Sequence, residues 1–381
     1  MRVSSRRAGL ARAIAVALLV LLIPGGAAAK PGAGEPSHCG PSGELGFICG
    51  AENPEDLARI PGTPWLIATG FAPGSGLKLV DTRAGSLKPW FTGAASQVRP
   101  DRRRFAQCSG PPDPGLLNIQ GLHLRREAQG GLTLYGANHG GREAIEIFDV
   151  DAAAEPRLTW IGCLPMPPGY AANSVTTYPD GTVLATVLTR PGTTITDYVR
   201  GAITGGVFQW APGDTAFHLL PGTELPGNNG IEASRDGTQF YVVAFGWHSI
   251  LVYSRADTTK PLKRIEAPDF MPDNIHWDGD RLISAGMRLD EPACGGRRRI
   301  VEGVADMMFC HRGYVAAEFD PSAGVFRTIV YSGPNADFNA VSTAVTVGDE
   351  LWLGAFRSDR IAYRRLSSQA GDAPPLERAH P

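Results

Sequence analysis

The sequence has no Cys-x-x-Cys pair, no Gly-x-Ser-x-Gly turn, no His-Glu-x-x-His and no glycine-rich loop ending in Gly-Lys-Ser/Thr. These absences leave a thiolate zinc site, a serine-hydrolase elbow, a helix-borne zinc protease and a nucleotide-phosphate cradle without support. Helical periodicity is nearly absent beyond the first thirty residues, so helices are not expected to build the core. No later segment is apolar for long enough to cross a bilayer as a helix. Charge of one sign is lacking as well. Thirty-six Lys+Arg stand against 38 Asp+Glu, a formal charge of −2, which argues against nucleic acid as a partner.

What is present is glycine and proline, 47 and 31 in 381 residues, as expected for many short strands joined by tight turns. The N-terminus reads as a secretory signal over residues 1–29. Arg2, Arg6, Arg7 and Arg12 precede an apolar run at 13–23, and Ala27-Ala28-Ala29 offers a cleavage site. Removing those four arginines takes the formal charge from −2 to −6. The mature protein is then expected to be periplasmic or secreted. Residues 30–46 read as a Pro/Gly-rich lead-in, 47–367 as the folded body and 368–381 as a flexible tail.

Six cysteines in an oxidising compartment favour disulfides, with fifteen possible pairings. Cys294 and Cys310 flank a basic loop (Arg297, Arg298, Arg299) and are assigned a local clip, worth roughly 3 kcal/mol on the chain-entropy model. Cys39–Cys49 and Cys108–Cys163 are the accompanying expectation.

One supersecondary pattern recurs six times: a polar residue, a short strand, a turn and a second apolar strand. The copies open at Glu55, Gln120, Asn173, Asn229, Asp273 and Ser342. Repetition at this scale predicts an all-β, six-bladed propeller, closed radially around a central channel. A closed ring needs no partner, so a monomer is expected. If each opening residue begins its blade's innermost strand, the six face one point on the axis. Carboxylates and amide oxygens gathered there suit a hard cation such as calcium, in a central metal site. Asp56, next to Glu55, alternates to the other side of the strand and suggests a second, deeper position. Three longer insertions, 86–117, 187–206 and 287–311, read as lids or binding loops. Trp90, Phe91, Phe105, Phe270 and Met271 are candidates either for a pocket wall or for plain packing. His248 and His276 read as strand fillers.

The segments PEDLARIPGTPWLIATG, LYGANHGGREAIEIFDVD, NNGIEASRDGTQFYVVAFGWHSILVYSR and PDNIHWDGDRL resemble the paraoxonase and regucalcin/gluconolactonase superfamily of calcium-dependent six-bladed propellers. The resemblance runs from about Cys49 to Arg364. It implies a catalytic calcium held by Glu55, Asn173, Asn229, Asp273 and Asn274. It also implies a second cation at Asp56 and the Leu122 carbonyl, although Ser174 stands where that site's second Asp belongs. Of the His pair proposed to activate water in paraoxonases, His139 matches the second member and Gln120 replaces the first. In the regucalcin branch the metal-bound Asp serves as base, here Asp273. The activity implied is hydrolysis of a small-molecule lactone or ester, with Gln120 and Thr343 lining the pocket. The alternatives are a non-catalytic, metal-stabilised propeller that binds a ligand or protein, and a metal-free condensation like that of strictosidine synthase. The ligand set argues against the last of these.

Overall fold

A computed structural model of the chain describes residues 39–366. The expected signal segment (1–29), the first part of the expected lead-in (30–38) and the expected tail (368–381) lie outside the described residues, as does residue 367.

The described residues form six four-stranded antiparallel sheets, with two short two-stranded ribbons inside the insertion 287–311. The first strands of the six blades are Leu57–Arg59, Ile119–Arg126, Val175–Thr177, Asn228–Ala233, Phe270–Asp278 and Val341–Val347. Each packs beside the first strands of the preceding and following blades, and the sixth returns to the first. That is a closed six-bladed ring with these strands innermost, as the repeat predicts. The only α-helix among the described residues is the five-residue Ile195–Val199.

Burial falls from the second strand outward, and the sequence follows it. Leu132–Asn138 and Val183–Val187 are buried at every position. They lie between neighbouring blades on both faces, so they read as mostly apolar rather than as an alternation of apolar and charged residues. Outer strands such as Lys263–Glu266 are mostly exposed and carry charges that blunt the open edge. The core is correspondingly a set of layers between blades. Ile67 and Leu79 of blade 1 meet Leu122, Leu134 and Phe148 of blade 2. Tyr178 and Leu184 of blade 3 meet Phe240 and Val242 of blade 4.

Blade 6 is built from both ends of the described chain. Its outermost strand, Gly46–Cys49, pairs antiparallel with Arg360–Arg365. All three expected disulfides are present: Cys39–Cys49, Cys108–Cys163 and Cys294–Cys310. Bonds of this kind persist in oxidising compartments. No helix among the described residues is long and apolar enough to cross a membrane.

One sequence expectation changes, and one pair of open alternatives is decided. Ser86–Pro89, read as the start of an insertion, is the fourth strand of blade 1. Trp90, Phe91, Phe105, Phe270 and Met271 are all buried in the interblade layers. They pack the core, and none lines the openings at either end of the channel.

Candidate functional site

Four innermost strands break register where the candidate side chains stand: between Ile119 and Leu122, Asn228 and Ile231, Pro272 and Ile275, and Val341 and Thr343. A bulge sets two residues against one and re-aims their side chains. Gln120, Asn229, the Asp273-Asn274 pair and Ser342 all occupy these irregular stretches. Glu55 and Asn173 sit just ahead of the first strands of blades 1 and 3. Glycine follows two of the six opening residues for a steric reason. A Cβ on Gly121 would lie 2.6 Å from the Asn173 carbonyl, and one on Gly230 would lie 2.5 Å from the Asp273 carbonyl. Adjacent blades therefore bring their site-bearing backbones into contact at these positions.

The side chains of Glu55, Asn173, Asn229, Asp273 and Asn274 are all buried. The Asn274 amide donates to Glu55 Oε1 (3.1 Å) and to the Glu55 carbonyl (3.3 Å). Ser342 Oγ donates to the same carbonyl at 2.6 Å. Asn229 hydrogen-bonds the Asp273 carboxylate. These links tie blades 1, 4, 5 and 6 together at the axis. Four acceptor oxygens remain buried without a protein partner: Glu55 Oε2, Asn173 Oδ1, Asn229 Oδ1 and Asn274 Oδ1. The Thr343 and Ser174 hydroxyls are likewise unpartnered. A buried acceptor left unpaired costs about 1–3 kcal/mol, so four at equivalent blade positions are expensive unless one group satisfies them together.

The two carboxylates carry the same message. Burial raises the Glu55 pKa well above the ordinary value, and Asp56 and Asp273 add to the effect. Burial also lifts Asp273 to about 8, opposed by the Asn229 bond and reinforced by Asp56. Taken alone, the site holds both acids toward their neutral forms. A hard divalent cation would meet an all-oxygen donor set here, which fits calcium better than a thiolate- or imidazole-loving metal. Among the described residues, no cluster of three or more histidine, cysteine or carboxylate side chains is arranged to hold a metal. The axial set has two carboxylates and three amides.

The expected second position has a different occupant. Asp56 accepts the Leu122 N–H at 2.9 Å, so Leu122 faces it with a donor and not with a carbonyl. His276 Nε2 lies 2.8 and 3.0 Å from the two Asp56 oxygens. Its Nδ1 is 3.7 Å from Glu232, whose other oxygen is 3.6 Å from His123. Burial alone would lower the His276 pKa, but Asp56 and Glu232 outweigh it and raise it to about 10. The His276 ring, its pKa raised by two carboxylates, thus stands beside Asp56 where the resemblance implies a cation. His276 is no filler. Glu232, absent from the sequence reading, is buried and held ionised against its burial by His123 and His276. The one signal for it in the sequence was its place three residues after Asn229.

At the blade 2 position, His139 Nε2 is 3.0 Å from Gln120 Oε1 and its Nδ1 is 2.7 Å from Glu143 Oε2. The Phe71 ring lies edge-on to the imidazole at 5.8 Å. Gln120 therefore takes the partner's place beside His139, and Glu143 orients the ring from the other side. A shallow opening of about 540 Å³ lies on this face, lined by Asn53, Phe71, Met308, Phe356 and Arg357.

The insertions 187–206 and 287–311 meet over the same end of the channel. Thr196 Oγ1 donates to the Gly303 carbonyl (2.8 Å) and the Arg298 guanidinium to the Val199 carbonyl (3.2 Å). Tyr198, Met307, Met271 and Ala340 share one apolar cluster. The longer insertion is anchored by Arg312, fully buried, which binds Asp306 at 2.8 Å and the Leu289 carbonyl at 3.0 Å. Arg312→Met leaves Asp306 buried and unpaired. Urea unfolding is expected to show a loss of about 3–5 kcal/mol, and an unchanged midpoint would contradict this anchoring.

No family model matches the sequence, and no curated protein matches it. Solved structures do. In fold the chain is similar to regucalcin and gluconolactonase. A calcium-binding protein, regucalcin, from Agrobacterium tumefaciens shares 13% identity over 84% of this chain and 91% of its own, with a TM-score of 0.46. A putative gluconolactonase shares 13% over 85% and 92%, with a TM-score of 0.47. A luciferin-regenerating enzyme shares 13% over 85% and 95%, with a TM-score of 0.49.

Proposed function

We propose that the protein is a calcium-dependent hydrolase that opens a lactone or cleaves an ester, exported to the periplasm or beyond. The observation that carries this reading is the set of unpartnered buried oxygens on Glu55, Asn173, Asn229 and Asn274, gathered around the raised carboxyl of Asp273. These five residues would hold calcium or another hard divalent cation. When bound, such an ion polarises a carbonyl and stabilises the oxyanion that develops on it.

The chain's own groups supply the rest. Asp273 accepts the proton of the attacking water and passes it to the departing oxygen. Asn229, hydrogen-bonded to that carboxylate, fixes its orientation. Ser342 and Asn274 hold Glu55 in place through its carbonyl and carboxylate. Gln120 and His139 line the approach on the blade 2 side, with Glu143 setting the imidazole's orientation. Thr343 offers a further buried hydroxyl to the substrate. The two joined insertions exclude water from this end of the channel.

Elemental analysis of the purified protein, paired with hydrolysis of a lactone and an aryl ester before and after EDTA, tests the proposal. One bound calcium per chain with chelator-sensitive turnover is the expected result. Bound calcium without turnover on either substrate would favour a ligand-binding propeller that keeps the ion for stability. Absence of both would overturn the reading.

A further inference from the structure

The channel has a second mouth, at the ends of the innermost strands rather than their starts. A cavity of about 540 Å³ opens there, within the range that encloses a small organic molecule. Its walls come from all six blades. Leu57, Leu122, Leu124, Trp277 and Val345 give it an apolar lining. The polar groups at its floor are withdrawn, with Glu232 3% and His276 9% exposed.

The rim is cationic. Arg59, Arg125, Arg126 and Arg235 surround the opening, against Asp278 and Asp280. Three of these guanidiniums already have carboxylates. Arg59 lies 3.6 Å from Asp278, Arg125 pairs with Glu127 at 2.5 Å, and Arg235 lies 3.8 Å from Asp280 while covering the Trp277 ring at 4.5 Å. Asp278 is also occupied by the Thr346 N–H at 2.8 Å. Arg126, exposed at the end of its strand, has no ion pair among the described residues. The mouth therefore joins an apolar interior to an excess of guanidinium and one that is uncommitted.

From this geometry we infer that the far mouth is a second binding site, for a small organic anion with an apolar body and a carboxylate head. The body replaces water against the leucines, Val345 and Trp277, and the carboxylate meets Arg126 at the rim, where a forked guanidinium matches it. The site is independent of hydrolysis at the other end. Its polar floor, Glu232 and His276, leads to Asp56 beside Glu55, but binding requires no change there.

Isothermal titration of the full-length mature protein with octanoate tests this, with octan-1-ol and octylammonium as the neutral and cationic probes. Octanoate is expected to bind one per chain, at least tenfold more tightly than either probe. Arg126→Glu and, separately, Leu124→Glu are expected to weaken it tenfold or more. Asn229→Ala, at the opposite end, is expected to leave it within twofold. Equal binding of octan-1-ol would overturn the anion assignment. Loss of octanoate binding in Asn229→Ala with retention in Arg126→Glu would place the ligand at the axial site and overturn the proposal, as would no binding at millimolar octanoate. Since Arg126 is exposed, a folding failure is not expected for its variant, and melting curves of both variants check that point. None of these readouts depends on turnover, so a failure of the hydrolase reading leaves the test intact.

Discussion

Asp273→Asn lowers kcat/KM for lactone or ester hydrolysis by roughly a thousandfold, the scale of losing a positioned general base. The substitution is nearly isosteric and keeps one oxygen at the axis, so it separates proton transfer from cation holding. It also removes a carboxylate whose burial lifts its pKa to about 8. In the chelated protein the variant should therefore melt higher than the parent above neutral pH. Steady-state kinetics with calcium in excess, beside melting in EDTA, read the two effects separately. Turnover within tenfold of the parent would remove Asp273 from the proton-transfer role. A catalytic loss accompanied by loss of bound calcium would show that the carboxylate acts chiefly as a ligand.

Chelation is the second large effect, and its dependence on pH has a definite sign. Asp273 has a folded-state pKa near 8 against about 3.8 when unfolded, and Glu55 is displaced the same way. Between those limits the folded, metal-free protein binds more protons than the unfolded chain. The stability that these two groups contribute is thus fully present below the unfolded value and is lost as pH rises toward 8. A bound cation removes that slope by favouring the ionised carboxylates. The gain in melting temperature on adding calcium should widen steadily from pH 5 to pH 8. At a thousandfold excess over Kd the stabilisation is about 4 kcal/mol, or roughly 6 °C for a chain of this size. A calcium shift that is flat across this range, or largest at pH 5, would disconnect these two carboxylates from the ion.

The blade repeat and the polar residue that opens each copy were legible because both are local: a strand, its turn, and one side chain ahead of it. The bulges that aim Asn229, Asp273 and Asn274 were not, since a register break depends on the partner strand. Nor was the link from Asp56 through His276 to Glu232 and His123. Those residues come from four different blades, and only closure of the ring brings them together. Read singly, His276 is an ordinary strand residue. The aromatic residues of the first insertion raised an ambiguity that sequence could not resolve, because an interblade layer and a pocket wall have the same composition. Ser86–Pro89 escaped as a strand because its outer edge is exposed and ends in Lys88-Pro89, which hides the apolar alternation.

Blade 6 takes its outer strand from the start of the chain and its other three from the end. Gly46 pairs with Tyr363 and Cys49 with Arg360, so the first described strand waits for the last described one. Blades 1 to 5 can form their hairpins in order of emergence, but the ring cannot latch until the final strands arrive. Loop-closure entropy makes that step slow. Until it occurs, blade 6 presents an unpaired strand edge and the layers on either side of it are open to solvent. The latch sets a single late commitment point: a chain without Gly46–Cys49 or Arg360–Arg365 keeps most of its blades and loses the pairing that closes the axis on which Glu55 and Asp273 meet.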